Sequence, residues 1–296
     1  MKKSIFQNLL NKSVKRKKLI TNKNFVSRLF FNPDMLIQTL ICYFLQKQNS
    51  FFLITTKTFW GIKMNVVLPE VISSDIRRFG FIEDSVASFI INFASEGDSL
   101  IDIGAHFGFF SLLMADIVGK SGSVHSFEPT PSTFLVLKKN IKNKDNIFIN
   151  NNAIWNLDTE IEFNDYGLAS SAFNSVNESR DKKYYSMHPK GKIKVKTLKL
   201  DDYVRENNIK PRLIKIDAES AEYQVLRGMD YILSKIKPLL CVELGDLGIN
   251  GVISSRKLIE FLMNNYSYKP YEIKDGKLSI HKIKENYKYT NLFFKK

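Results

Sequence analysis

Three apolar runs in the middle of the chain each close on an acid: Ser99-Leu-Ile-Asp102-Ile-Gly104, Ser126-Phe127-Glu128-Pro129 and Leu213-Ile-Lys-Ile216-Asp217. Each run has the length of a short strand. Each is followed by helix-type apolar spacing, over about 108–118, 131–143 and 219–234. Strands that alternate with helices pair in parallel, because each crossover helix carries the chain back to the edge it left. The chain therefore reads as α/β, a Rossmann-like sheet that is mostly parallel with helices on both faces. Such a sheet gathers its ligand-facing groups at the carboxyl ends of its strands, where these acids fall.

The rest of the chain fits around that core. Further strands are expected at 146–150, 193–198 and 239–244, with closing strands near 268–282 and helices near 201–207 and 254–265. Residues 151–190 are irregular and rich in Asn and Ser. Ahead of the alternation, 29–50 and 84–96 carry helical spacing, and 51–72 reads as a β-hairpin turning near Gly61. Residues 1–28 are polar and basic, and read as mobile or only partly helical. The expected organisation is a basic N-terminal extension over 1–50, an α/β domain over 51–283 and a basic tail over 284–296.

Charge follows this division. Of the net +14, residues 1–50 supply +9, from ten Lys/Arg against Asp34, and 269–296 supply +5. The interval between is neutral. A neutral body argues against a nucleic-acid groove through the domain, and basic ends suit contact with an anionic membrane surface or glycan. No run reaches the roughly 20 apolar residues of a spanning helix. The best, Met35–Leu45, includes Gln38, and its helix either packs on the domain or lies on a membrane surface. The basic lead is long for a secretory signal, and no small-residue cleavage site follows it. Cys42 and Cys241 lack metal or disulfide spacing, so a reducing cytoplasm is the expected location, with peripheral membrane contact.

The glycine spacing around the first acid narrows the ligand. Gly104-Ala-His106-Phe-Gly108 is GxxxG, not the GxGxxG that cradles a dinucleotide pyrophosphate, which disfavours a NAD-dependent oxidoreductase. S-adenosylmethionine has no pyrophosphate but carries a sulfonium and an ammonium, which Asp102 suits electrostatically. Glu128 lies one βα unit on, where a carboxylate accepts both ribose hydroxyls. Asp217, Glu219 and Glu222 crowd the third strand end. Such carboxylates position a hydroxyl, bind a divalent cation or act as a general base; no metal-ligand spacing selects the cation.

Taken together, Asp102-Ile-Gly-Ala-His-Phe-Gly108, Phe127-Glu128-Pro129, Lys215-Ile-Asp-Ala-Glu-Ser-Ala-Glu222 and Val225-Leu-Arg-Gly228 resemble the FkbM-type methyltransferases. The resemblance extends upstream to Phe81-Ile-Glu83 and downstream to Val242-Glu243. It implies a class I methyltransferase fold and methyl transfer from S-adenosylmethionine, usually to a hydroxyl of a sugar or natural product. Donor-binding residues would be Glu83, Asp102, Gly104, His106, Gly108, Glu128 and Ala153. Asp217 is the expected base or acceptor-orienting group, with Glu219 and Glu243 next. Two positions depart from the family pattern: His106 stands where Asn is usual, and Ser220 where Gly is usual. Ser170, Ser171 and His188 are weaker candidates on the acceptor side, and His125 reads as buried structure. The expected partner is a small-molecule or saccharide acceptor. Two other readings stay open: a nucleic-acid methyltransferase whose basic tails hold phosphate, and a non-catalytic scaffold on the same fold.

Overall fold

The computed structural model describes residues 2–22, 33–48, 50–177, 188–246, 251–274 and 277–296. Residues 29–32 and 49 of the expected first helix, and 178–187 of the irregular stretch, lie outside them. The chain forms two compact units, one of residues 1–92 with 167–172, the other of 93–166 with 173–296.

The first unit opens with α1 (Lys2–Thr21), so most of the segment expected to be mobile is helical. Phe6, Leu10 and Ile20 are its buried side. α2 (Pro33–Lys47) starts on a proline, whose fixed φ and missing N–H suit a first helical turn. The expected hairpin is present as antiparallel β1 (Phe52–Lys57) and β2 (Lys63–Leu68), in register from Phe52 opposite Leu68 to Lys57 opposite Lys63. α3 (Val71–Phe79) is capped at both ends. The Glu70 carboxylate accepts from Ile72 N at 2.9 Å and Ser73 N at 2.6 Å, and Gly80 ends the helix at φ 82°. α4 (Asp84–Phe93) closes the unit.

The second unit holds the βα alternation. Its elements are β3 (Ser99–Ile103), α5 (Phe109–Val118), β4 (Ser123–Phe127), α6 (Pro131–Asn140), β5 (Ile147–Asn150), β6 (Ala153–Ile154), β7 (Glu160–Asp165), β8 (Gly191–Leu198) and α7 (Leu200–Glu206). Then come β9 (Pro211–Ile216), α8 (Glu222–Arg227), a π-turn at Ile232–Ile236, β10 (Leu239–Leu244), α9 (Ser255–Tyr266), β11 (Lys269–Lys274), β12 (Lys277–Ile280) and β13 (Thr290–Lys295). The helix expected over 219–234 is thus one short helix and a π-turn, broken around Gly228. A Cβ there would sit 2.2 Å from Trp155 O, so the close packing of two backbones requires glycine.

Eight strands form one sheet in the order β12-β11-β13-β10-β9-β3-β4-β5. From β10 to β5 all are parallel, and β13 runs antiparallel between β10 and β11. This is the expected class I methyltransferase sheet. The tail expected over 284–296 is corrected: its last residues are an interior strand, with Leu292, Phe293 and Phe294 all buried. Alternation sends Ile101, Ile103, Ile214 and Ile216 to one face, into a core with Leu200, Val204, Val225, Leu226, Ile259 and Leu262 of α7, α8 and α9. Asp102 points to the other face, toward α5. β6, β8 and β7 make a smaller sheet over Ala153, Phe163 and Val195.

Candidate active site

The central strands stop in step. Ile103 is in register with Phe127 on one side and with Ile216 on the other, so Gly104, Glu128 and Asp217 come next, side by side. One pleat back, Ser126, Asp102 and Lys215 form a row across the sheet. Asp102 therefore does not end its strand, as the sequence suggests. It lies inside β3, 1% exposed, beneath the turn.

The Asp102 Oδ2 accepts from Ser111 Oγ at 2.6 Å, and Ser111 in turn accepts from Ser126 Oγ at 2.9 Å. Its Oδ1 is buried and has no hydrogen-bond partner among the described residues. Burial pushes its carboxyl above the ordinary range, against the pull of Lys215. Lys215 is 1% exposed, lies with its ammonium 5.0 Å from the Phe110 ring centre and donates to Asp217 Oδ2 at 2.7 Å. The sequence did carry a signal for it: a single charge inside Leu213-Ile214-Lys215-Ile216, two residues from Asp217 and therefore on its face.

The turn after β3 is shaped by backbone. Gly104 N and Ala105 N both donate to Phe127 O at 3.0 Å. Gly104 has φ 76°, and a Cβ on it would lie 1.8 Å from Asp217 O, so no other residue fits. Gly108, at φ 90°, packs on the Leu137 side chain and begins α5. His106 sits between them at φ 50°, in the left-handed region. Its N–H donates to Glu128 Oε2 at 3.0 Å, and its ring lies 3.9 Å from that of Phe107. Desolvation drives its pKa down to about 3, with Asp217 opposing, so the imidazole is neutral. Glu128 is 6% exposed, its other oxygen accepts from Thr130 N at 2.9 Å, and burial raises it to about 7. Asn151 Nδ2 donates to Glu128 O and Pro129 O, fixing the end of β4.

The third acid group lies beyond β9. Asp217 N donates to Ile103 O at 3.2 Å. Glu219 and Ser220 follow at φ 46° and φ 76°, two consecutive left-handed residues without a glycine. Glu222 holds that turn by accepting from Ala218 N and Ser220 N, which makes it a brace rather than a free acid on the face of Glu219. Glu243, 1% exposed near the end of β10, brings a carboxylate oxygen within 4.8 Å of one on Asp217. At that spacing two carboxylates repel, and the Lys215 ammonium on Asp217 offsets part of the repulsion. The Tyr289 hydroxyl lies close to Glu219, Glu243 and Asp217, although the residue as a whole is 59% exposed. Burial of that hydroxyl, with the three acids, raises it well above its ordinary value. Tyr289 has no counterpart in the sequence reading, since nothing in Lys288-Tyr289-Thr290 predicts that β13 lies beside β10.

The other candidates lie on other elements. Glu83 belongs to the first unit, at φ 42°, and its carbonyl accepts from Ala87 N at the start of α4. Ala153 packs with Phe163 and Val195 in the small sheet. Ser170 and Ser171 belong to the first unit, and His188 is exposed. His125 is structural as expected, bonded to Tyr203 and Ser123 and stacked on Phe148.

The methyltransferase FkbM domain matches residues 102–270, from the buried acid of β3 to the start of β11. The chain belongs to the FkbM methyltransferase family. Among curated proteins, the family resemblance includes the hexuronic acid methyltransferase AglP of Haloferax volcanii, 28% identical over 158 residues, which are 52% of this chain and 59% of that protein. The chain thus spans about three fifths of that relative. Methyltransferase 1 of Beauveria bassiana is 23% identical over 193 residues, 59% of this chain and 77% of that protein. Among solved structures, a methyltransferase FkbM of Methylobacillus flagellatus KT aligns with 68% of this chain and 44% of its own, at 14% identity and a TM-score of 0.44. No helix among the described residues is long and apolar enough to cross a membrane.

Proposed function

We propose that the chain moves a methyl group from S-adenosylmethionine to a hydroxyl of a sugar, glycan or glycolipid. The observation that carries this reading is the pair of buried acids on adjacent strands, Glu128 just past the end of β4 and Asp102 inside β3, the latter with a carboxylate oxygen left without a partner among the described residues. A buried acceptor without a donor is costly unless something supplies one. The ammonium and sulfonium of the donor suit Asp102. The ribose hydroxyls suit Glu128, whose two oxygens each receive one backbone N–H and keep a lone pair.

When bound, S-adenosylmethionine supplies an electrophilic methyl carbon. The protein's task is to bring an acceptor oxygen into line with it and to manage one proton. Asp217 is positioned for that proton, because the Lys215 ammonium fixes its Oδ2 at 2.7 Å and so fixes the direction in which the carboxylate faces. Glu243 and Glu219, gathered with Asp217 around the Tyr289 hydroxyl, give the acceptor side several hydrogen-bond acceptors. That set suits a polyhydroxylated substrate better than an apolar one. The name of the Haloferax volcanii relative points the same way. Cys42 and Cys241 form no disulfide among the described residues, which suits a reducing compartment.

Calorimetry with S-adenosylmethionine tests the donor half. Saturable binding by the wild type is expected, weakened at least about tenfold in Asp102→Ala and in Glu128→Ala, as for loss of a charged hydrogen bond. No binding by the folded wild type would overturn the reading and favour a scaffold role.

A further inference from the structure

α2 is built with its apolar side outward. Ile37, Leu40, Ile41 and Phe44 recur at helical spacing and are 53%, 49%, 39% and 58% exposed. The opposite side holds the helix to α3: Gln38 is buried and donates to Ser74 O at 3.2 Å, and Cys42 lies 3.8 Å from the Ser74 hydroxyl. A surface helix that buries glutamine and shows isoleucine and phenylalanine to water is inverted relative to the usual pattern. The exposed stripe continues along the chain. Ser50 N bonds Leu45 O, and Phe51, Phe52 and Leu53 after it are all exposed. Large apolar side chains exposed in such number over a short stretch of chain mark an interaction site.

The charge of the same unit selects the partner. The exposed Lys12, Lys15, Arg16 and Lys18 project from α1, which is anchored on α3 by the Lys17–Asp75 ion pair and by Lys17 over the Phe79 ring. Lys57 stands directly opposite Lys63 in the hairpin, and the two line an open concavity with Arg77. Like charges directly opposite each other destabilise a hairpin, and an anion between them removes the penalty. Residues 1–92 carry fourteen Lys/Arg against five acids. A second copy of the chain would bring the same +9 to the contact and be repelled.

We propose that this face of the first unit docks on an anionic lipid surface. The α2 stripe and Phe51-Phe52-Leu53 enter the headgroup boundary, and the Lys and Arg side chains meet lipid phosphates. This refines the expectation of contact through two basic ends: insertion comes from an apolar helix face, and the carboxyl-terminal end is an interior strand. The inference stands apart from the methyl-transfer reading.

The test is co-sedimentation of the full chain with vesicles of phosphatidylcholine, with and without phosphatidylglycerol. Binding should be at least about tenfold tighter to the anionic vesicles and fall with added salt, as polybasic contacts do. Leu40→Glu with Phe44→Glu, both at exposed positions, should weaken it about tenfold or more while leaving the melting temperature and S-adenosylmethionine binding unchanged. Failure to sediment with anionic vesicles, or equal sedimentation of the double variant, would overturn the proposal. So would a concentration-dependent dimer in light scattering that the same substitutions abolish.

Discussion

At the scale of single residues, the two departures from the family pattern share one physical property. His106 and Ser220 both occupy left-handed backbone, at φ 50° and φ 76°. That region costs an L-residue about 1–2 kcal/mol, is free to glycine and is visited more readily by Asn and His than by most side chains. Asn to His is therefore a mild change, whereas Gly to Ser stores strain in the turn beyond Asp217. Ser220→Gly should raise stability by about 0.5–1 kcal/mol, the relief being partly offset by the entropy of a more flexible unfolded chain. Urea denaturation checks this, and an unchanged midpoint would show that the turn is not strained. The sequence located both positions by comparison with a motif, but backbone angles gave them their meaning. The acids themselves were legible, because a charge closing an apolar run marks a strand, and for Glu128 and Asp217, though not for Asp102, its end as well. Their partners were not, since Ser111 and Tyr289 meet Asp102 and Glu243 only through tertiary packing.

At the scale of elements, strands that alternate with helices were readable and the last strand was not. In Tyr287-Lys-Tyr-Thr-Asn-Leu-Phe-Phe-Lys-Lys296 the three lysines drew attention to charge. The three apolar residues between them decide the structure, buried on both faces between β10 and β11. A continuous apolar run of three is too short to show any period, so only the sheet reveals it. A chain ending at Lys288 would expose two strand edges at once. It should be aggregated or lack a cooperative melt by circular dichroism. In the full chain, Phe294→Ala should cost about 3–5 kcal/mol in urea denaturation. A truncated chain that melts like the wild type would show that β13 is dispensable. α1 was missed for a related reason: the helix is polar over most of its surface, and between Leu10 and Ile20 its inward side is carried in part by polar residues such as Ser13 and Lys17.

At the scale of the whole molecule, buried titratable groups oppose one another. Burial raises Glu70 and Glu128 from 4.5 to about 7. The stability that these two contribute is complete below pH 4.5 and is lost as pH climbs toward 7. Burial lowers His106 from 6.5 to about 3 and His125 to about 4. Their contribution is complete above pH 6.5 and is lost as pH falls. Between pH 4.5 and 6.5 the two trends run in opposite directions, which flattens the profile. Glu128→Gln removes one carboxyl, so its stability should rise with pH more steeply than that of the wild type across that window. Urea midpoints at the two ends of the window read this directly, and parallel profiles would refute it. A final consequence comes from the contact of Gly104 with the Asp217 carbonyl, where not even a methyl group fits. Two turns from different strands touch through peptide atoms alone, like the closed jaws of a caliper. The span across that point is therefore set by the closest approach of two peptide groups, which exchange of the surrounding side chains does not alter. Substitution of the side chains on either side changes what enters the gap but not its gauge.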